Sequence, residues 1–72
     1  MSRLEAVDMW RLKTGDSEDY ITYDDREWVP ASPTSTYSDD TLILLLYGDD
    51  AKIMRFADFD SWCNSTDGVV FL

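Results

Sequence analysis

The sequence predicts an α+β fold: a small, mostly antiparallel β-sheet of four or five strands, with one short helix near the C-terminus. Three patterns predict it. Residues 42 to 46, Leu-Ile-Leu-Leu-Leu, are apolar at every position, as expected of a strand covered on both faces in the centre of a sheet. Residues 53 to 56 alternate, with Ile53 and Arg55 facing one way and Met54 and Phe56 the other. Phe59, Trp62 and Cys63 fall at i, i+3 and i+4, a single apolar stripe on a two-turn helix.

The remaining elements follow in chain order. In "LEAVDMWRLK", Leu4, Val7 and Arg11 suit a helix, whereas Ala6, Asp8, Trp10 and Leu12 share one face of a strand. The strand reading is favoured because "TGDSED" follows as a turn and "YITY" then has β-rich composition. Together they predict a hairpin of residues 4 to 13 with 19 to 24. "VPASPTSTYSDD" has two prolines and five Ser or Thr and reads as a surface loop. Gly48-Asp49-Asp50 is a hairpin turn after the central strand, with a residue free to take positive φ. Asp58 is placed to cap the helix in "ADFDSWCN". "TDG" reads as a turn, and "VVFL" as a short final strand.

Seventy-two residues make a single domain, 1–72. A chain of this size buries only about 60% of its unfolded surface. Its lone cysteine, Cys63, allows no internal disulfide. Without histidine or Cys-rich spacing, the usual zinc centres are excluded. Stability is therefore expected from an aromatic-rich core, or from association as a homodimer, which the doubly apolar strand 42–47 suggests. No secretory leader pattern opens the chain, and the run Leu42–Tyr47 is too short to cross a bilayer. The expectation is a soluble protein of the cytoplasm. The sequon Asn64-Ser65-Thr66 has no export signal beside it and carries no weight.

The tetrapeptide Tyr47-Gly48-Asp49-Asp50 resembles the one that carries two catalytic aspartates in RNA-directed RNA polymerases. Two-metal phosphoryl transfer needs a second carboxylate segment to hold the ions, and a polymerase also needs a domain of several hundred residues with a basic channel for template and nucleotide. A chain of 72 residues and net charge −9 has neither the room nor the charge, so the four residues read as a tight turn. The clusters Asp16-Ser17-Glu18-Asp19 and Asp58-Phe59-Asp60 lack the glycine and terminal glutamate of a twelve-residue calcium loop. Cys63 has no histidine to activate it. The expectation is a protein without enzymatic activity, metal or cofactor.

Charge distribution is the dominant signal. Residues 14 to 50 hold ten acids against Arg26 alone, whereas the segments before and after carry +1 and −1. Such a field repels nucleic acid and anionic membrane and attracts basic surfaces. The acids come as neighbours: Glu18-Asp19, Asp24-Asp25, Asp39-Asp40 and Asp49-Asp50. All four tyrosines and Trp28 lie in the same segment. Carboxylates accept charge-assisted hydrogen bonds from Arg and Lys, and aromatic rings stack on guanidinium planes. The expected partner-binding residues are Asp24, Asp25 and Glu27, Asp39 and Asp40, and Asp49 and Asp50. Tyr23, Trp28 and Tyr47 are the expected packing anchors.

Along a strand, residues on one face recur about every 6.5–7 Å, while duplex DNA presents a phosphate about every 3.4 Å per strand. A sheet rim with its turns lays out negative charge at a comparable density. In size, acidity and aromatic content the chain resembles the small DNA-mimic inhibitors of phages: anti-CRISPR proteins, anti-restriction proteins and uracil-DNA glycosylase inhibitors. That resemblance implies a stoichiometric blocker of a host protein's basic nucleic-acid-binding surface, acting in the host cytoplasm. The alternative expectation is an acidic immunity or antitoxin-like protein, or a small modulator of RNA polymerase or another large complex. Such a protein would dock away from the nucleic-acid groove.

Overall fold

Two short hairpins and one long strand organise the sheet. The computed structural model describes residues 5–65 and 68–72. Its elements are β1 (Glu5–Leu12), β2 (Ile21–Tyr23), β3 (Arg26–Pro30), β4 (Leu42–Tyr47), β5 (Asp50–Arg55), α1 (Phe56–Ser65) and β6 (Val69–Phe71). Five strands run antiparallel in the order β2-β3-β1-β4-β5, and β6 joins β1 in parallel. The α+β architecture is therefore as the sequence predicts. The N-terminal segment is a strand, though Leu4 lies outside the described residues.

One edge of β1 is shared. Its first half pairs with β6 through Glu5↔Val69 to Val7↔Phe71, and its second half with β3 through Trp10↔Pro30 to Leu12↔Trp28. Its other edge pairs with β4, with Met9 opposite Leu45. The expected hairpin of 4–13 with 19–24 does not form. Residues 21–23 pair instead with β3 across the two-residue loop Asp24-Asp25, because a local two-residue turn closes at lower entropic cost than the five-residue loop 14–18 of the expected hairpin. The intervening residues 13–20 carry the chain past β3 to the outer edge.

Val29 and Pro30, expected in the loop, belong to β3. Proline is tolerated there because Lys13 N–H bonds Glu27 C=O and Ala31 N–H bonds Met9 C=O. Pro30 N therefore points the other way, past the end of β2, where no ladder partner waits. Between β4 and β5 the loop is Gly48-Asp49, and Asp50 already pairs with Tyr47. Gly48 has φ 54°, so the turn reading of this stretch is shown by its backbone.

β4 lies between β1 and β5 and is covered on both faces, as predicted: Ile43, Leu44 and Leu45 have no solvent exposure. Ile43 and Leu45 join Val7, Met9 and Phe59 in the main core under α1. The stripe Phe59, Trp62 and Cys63 faces this core, with Phe59 against Phe71 at 5.8 Å. Leu44 and Trp28 point to the other face and are fully buried there, and the Trp28 indole N–H donates to Tyr23 C=O at 3.0 Å. Trp10 shares that face, and its indole nitrogen has no partner among the described residues.

The helix begins one residue before the predicted stretch and ends one after it. Asp58 does not cap it. Because α1 follows β5 with no linker, its first N–H groups meet the preceding loop: Phe56 N–H bonds Thr41 C=O at 2.8 Å and Ala57 N–H bonds Asp39 C=O at 3.4 Å. Asp58 sits in the first turn, where the helix dipole favours a carboxylate, and pairs with Arg55 at 3.5 Å. Of the expected "TDG" turn, residues 66 and 67 lie outside the described residues, and Gly68 has φ 77°.

Candidate functional site

Strand direction sorts the acids into two groups. β1 ends, and β3 and β4 begin, at one end of the sheet, so residues 13–20, the 24–25 turn and the loop entering β4 all gather there. Asp16, Glu18, Asp19, Asp24, Asp25, Asp39 and Asp40 belong to this end, and all are exposed. Asp49 and Asp50 close the β4–β5 hairpin at the opposite end. The six residues of β4 separate the two groups by about 20 Å at strand rise. The structure therefore brings Asp24, Asp25, Asp39 and Asp40 to one end and leaves Asp49, Asp50 and Tyr47 at the other.

Asp24 and Asp25 occupy the two central positions of the β2–β3 turn with φ 54° and 58°. Both are left-handed, as a type I′ hairpin demands, and glycine is preferred at the second. Side chains pay for that geometry in steric strain, about 1–2 kcal/mol per residue. The turn projects: the last β1–β3 pair is Leu12↔Trp28, and residues 23–27 extend beyond it. Tyr23 on this projection is 39% exposed, as an aromatic anchor requires. Trp28 corrects the expectation. With no exposed surface, its ring fills the core of the face opposite α1 and offers a partner nothing. Tyr47 is half-buried and packs on Trp62 at 6.2 Å.

Two basic groups at this end, Lys13 and Arg11, are already engaged. Lys13 Nζ lies 3.6 Å from Glu27 Oε1 and 4.2 Å from the Tyr20 ring centroid. Glu27 is thus partly neutralised. Arg11 lies over the Tyr37 ring at 5.9 Å and donates to Thr14 Oγ1 at 3.4 Å. With Tyr37 and Asp40 it lines a shallow cleft of about 470 Å³. Tyr37 is fixed from two sides, its hydroxyl accepting from Ser32 N–H at 3.1 Å and its ring meeting Phe56 edge-on at 5.6 Å. The loop bearing Asp39 and Asp40 is therefore anchored to the core at Tyr37 and to the helix start at Asp39. These carboxylates stand on a preformed support.

Comparison with protein-family models, curated proteins and solved structures finds no match. The site rests on its own geometry.

That geometry adds residues that the sequence reading did not assign to the interface. Tyr20, 46% exposed, and the acids Asp16, Glu18 and Asp19 share the end with Asp24 and Asp25. Their signal in the sequence was the "TGDSED" turn, but only the β2–β3 pairing places it beside the other acids. Among the described residues no group of three or more Asp, Glu, Cys or His converges as metal ligands would. Cys63 lies on the core side of α1; burial, and then the Asp60 carboxylate, raise its thiol pKa. No helix of the described residues is long and apolar enough to cross a membrane.

Proposed function

We propose that this protein is a non-enzymatic inhibitor that occupies a basic nucleic-acid-binding surface of a host protein in the cytoplasm, after the manner of a DNA mimic. The observation that supports the reading is the convergence of three acidic segments, 16–19, 24–25 and 39–40, on one end of a sheet. No lysine or arginine is interspersed in these segments, although interspersed bases would relieve their repulsion. The contact set is Asp24, Asp25, Asp39 and Asp40, joined by Asp16, Glu18 and Asp19, with Tyr20 and Tyr23 as the exposed rings. Guanidinium and ammonium groups of a phosphate-binding groove would meet carboxylates there in place of phosphate oxygens.

Neutralising Asp24, Asp25, Asp39 and Asp40 to Asn tests the reading. Binding to a partner captured from a bacterial lysate should weaken by about tenfold or more, and its dependence on salt should flatten. Unchanged affinity and salt slope would remove these residues from the interface. The modulator or immunity reading gains instead if the partner binds this chain and duplex DNA together.

A further inference from the structure

The sheet ends at β5, whose outer edge has no partner among the described residues. From this edge we infer that the chain self-associates by pairing β5 with β5 of a second copy, antiparallel about a twofold axis normal to the sheet. Tyr47↔Asp50 closes a two-residue loop and is therefore a mutually hydrogen-bonded pair. By alternation, Asp50, Lys52 and Met54 turn their backbone groups inward to β4, while Ala51, Ile53 and Arg55 turn theirs outward. Three consecutive outward positions make a usable edge. Of the other edges free among the described residues, β2 offers Thr22 alone by the same count, since Tyr23↔Arg26 closes its loop, and β6 is only three residues long.

Register follows from charge. A twofold on Lys52 sets two ammonium groups directly opposite, which is unfavourable. A twofold on Ile53 pairs Ile53 with Ile53 of the second copy and Ala51 with Arg55, using every outward group on both strands. It also places Lys52 across from Met54 of the second copy. Met54 lines an open cleft of about 500 Å³ together with Trp62, Asp58 and the same copy's own Lys52. Lys52, exposed in the isolated chain, then reaches the Asp58 carboxylate of the other copy, twice by symmetry. The helices meet at packing distance: α1 follows β5 directly and lies over β4 and β5, so the two helix axes stand about two strand spacings, about 9–10 Å, apart, within the range of about 8–10 Å for packed helices.

This arrangement relocates the expected dimer contact. The doubly apolar β4 cannot supply it, being internal to the sheet. It also has a consequence for the acids. Antiparallel pairing brings the Asp49-Asp50 turn of one copy to the end that carries Asp39 and Asp40 in the other, extending one acidic rim across the interface.

Sedimentation equilibrium of the full chain, alone and from micromolar to about millimolar concentration, tests the inference without any basic partner. Its failure is thus separate from that of the proposed function. The expected mass at high concentration is twice 8.3 kDa. Lys52→Glu should weaken association about tenfold or more, since it turns both attractions into repulsions, and Lys52→Glu with Asp58→Lys should restore it. In a Cys63→Ser background, Ile53→Cys should oxidise to a covalent dimer, because the paired Cα atoms stand about 5.5 Å apart. A wild-type chain that stays monomeric throughout overturns the proposal. So does a dimer indifferent to Lys52→Glu, which would assign the contact to the Trp10 face.

Discussion

Asp25 trades stability for a charge. At φ 58° a side chain is strained, and Asp-Gly is the favoured pair for this turn type. Asp25→Gly should therefore stabilise the fold by about 0.5–1 kcal/mol, raising the melting midpoint by roughly 2–8 °C, while weakening partner binding. A melt and a binding isotherm on the same variant check both signs. Trp28→Ala should instead cost about 3–5 kcal/mol, because the ring is fully buried. Cys63 gives a pH test. Burial, and then the Asp60 carboxylate, push its thiol pKa above the ordinary 9.0, so the folded state favours the thiol and the unfolded state releases the proton first. Its stabilising contribution is complete below the unfolded pKa and is lost as pH rises through the folded one. Alkylation of the native protein near pH 8 should lag well behind that of the unfolded chain. Equal rates would mean Cys63 is not shielded.

At the scale of elements, β4 should exchange its amides most slowly, being paired on both sides, and β2 most quickly, being a three-residue edge strand. Hydrogen exchange read by mass or NMR orders them directly. What the sequence revealed divides along the same line. β4, β5 and the Phe59–Trp62–Cys63 stripe were legible because each buries a fixed face, and burial writes a period into the residues. The β1–β2 pairing was misread because strand neighbours are set by turn closure. Asp24-Asp25 does not look like a two-residue hairpin loop, since neither residue is the glycine that usually marks one. Reading that turn wrongly also hid where residues 16–19 lie. Asp58 was misjudged as a cap because the missing linker between β5 and α1 hands the helix N–H groups to backbone carbonyls.

For the molecule as a whole, the charge pattern gave the existence of an acidic surface but not its outline. Acids adjacent in sequence were visible; only the register shows that Asp49 and Asp50 stand at the opposite end from Asp39 and Asp40. With net charge −9, self-repulsion opposes the compact state. Raising salt from about 10 to 150 mM, which shortens the Debye length from about 30 to 8 Å, should raise the melting midpoint even as it weakens partner binding. The central claim is that the end bearing Asp24, Asp25, Asp39 and Asp40 occupies a nucleic-acid groove on its partner. The most direct measurement is capture from a bacterial lysate on immobilised wild-type protein, in parallel with the Asp24/Asp25/Asp39/Asp40→Asn variant, each with and without excess duplex DNA. The wild type should retain a nucleic-acid-binding protein that DNA releases, and the variant should fail to hold it. A partner held equally by the variant, or retained in the presence of DNA, would contradict the claim.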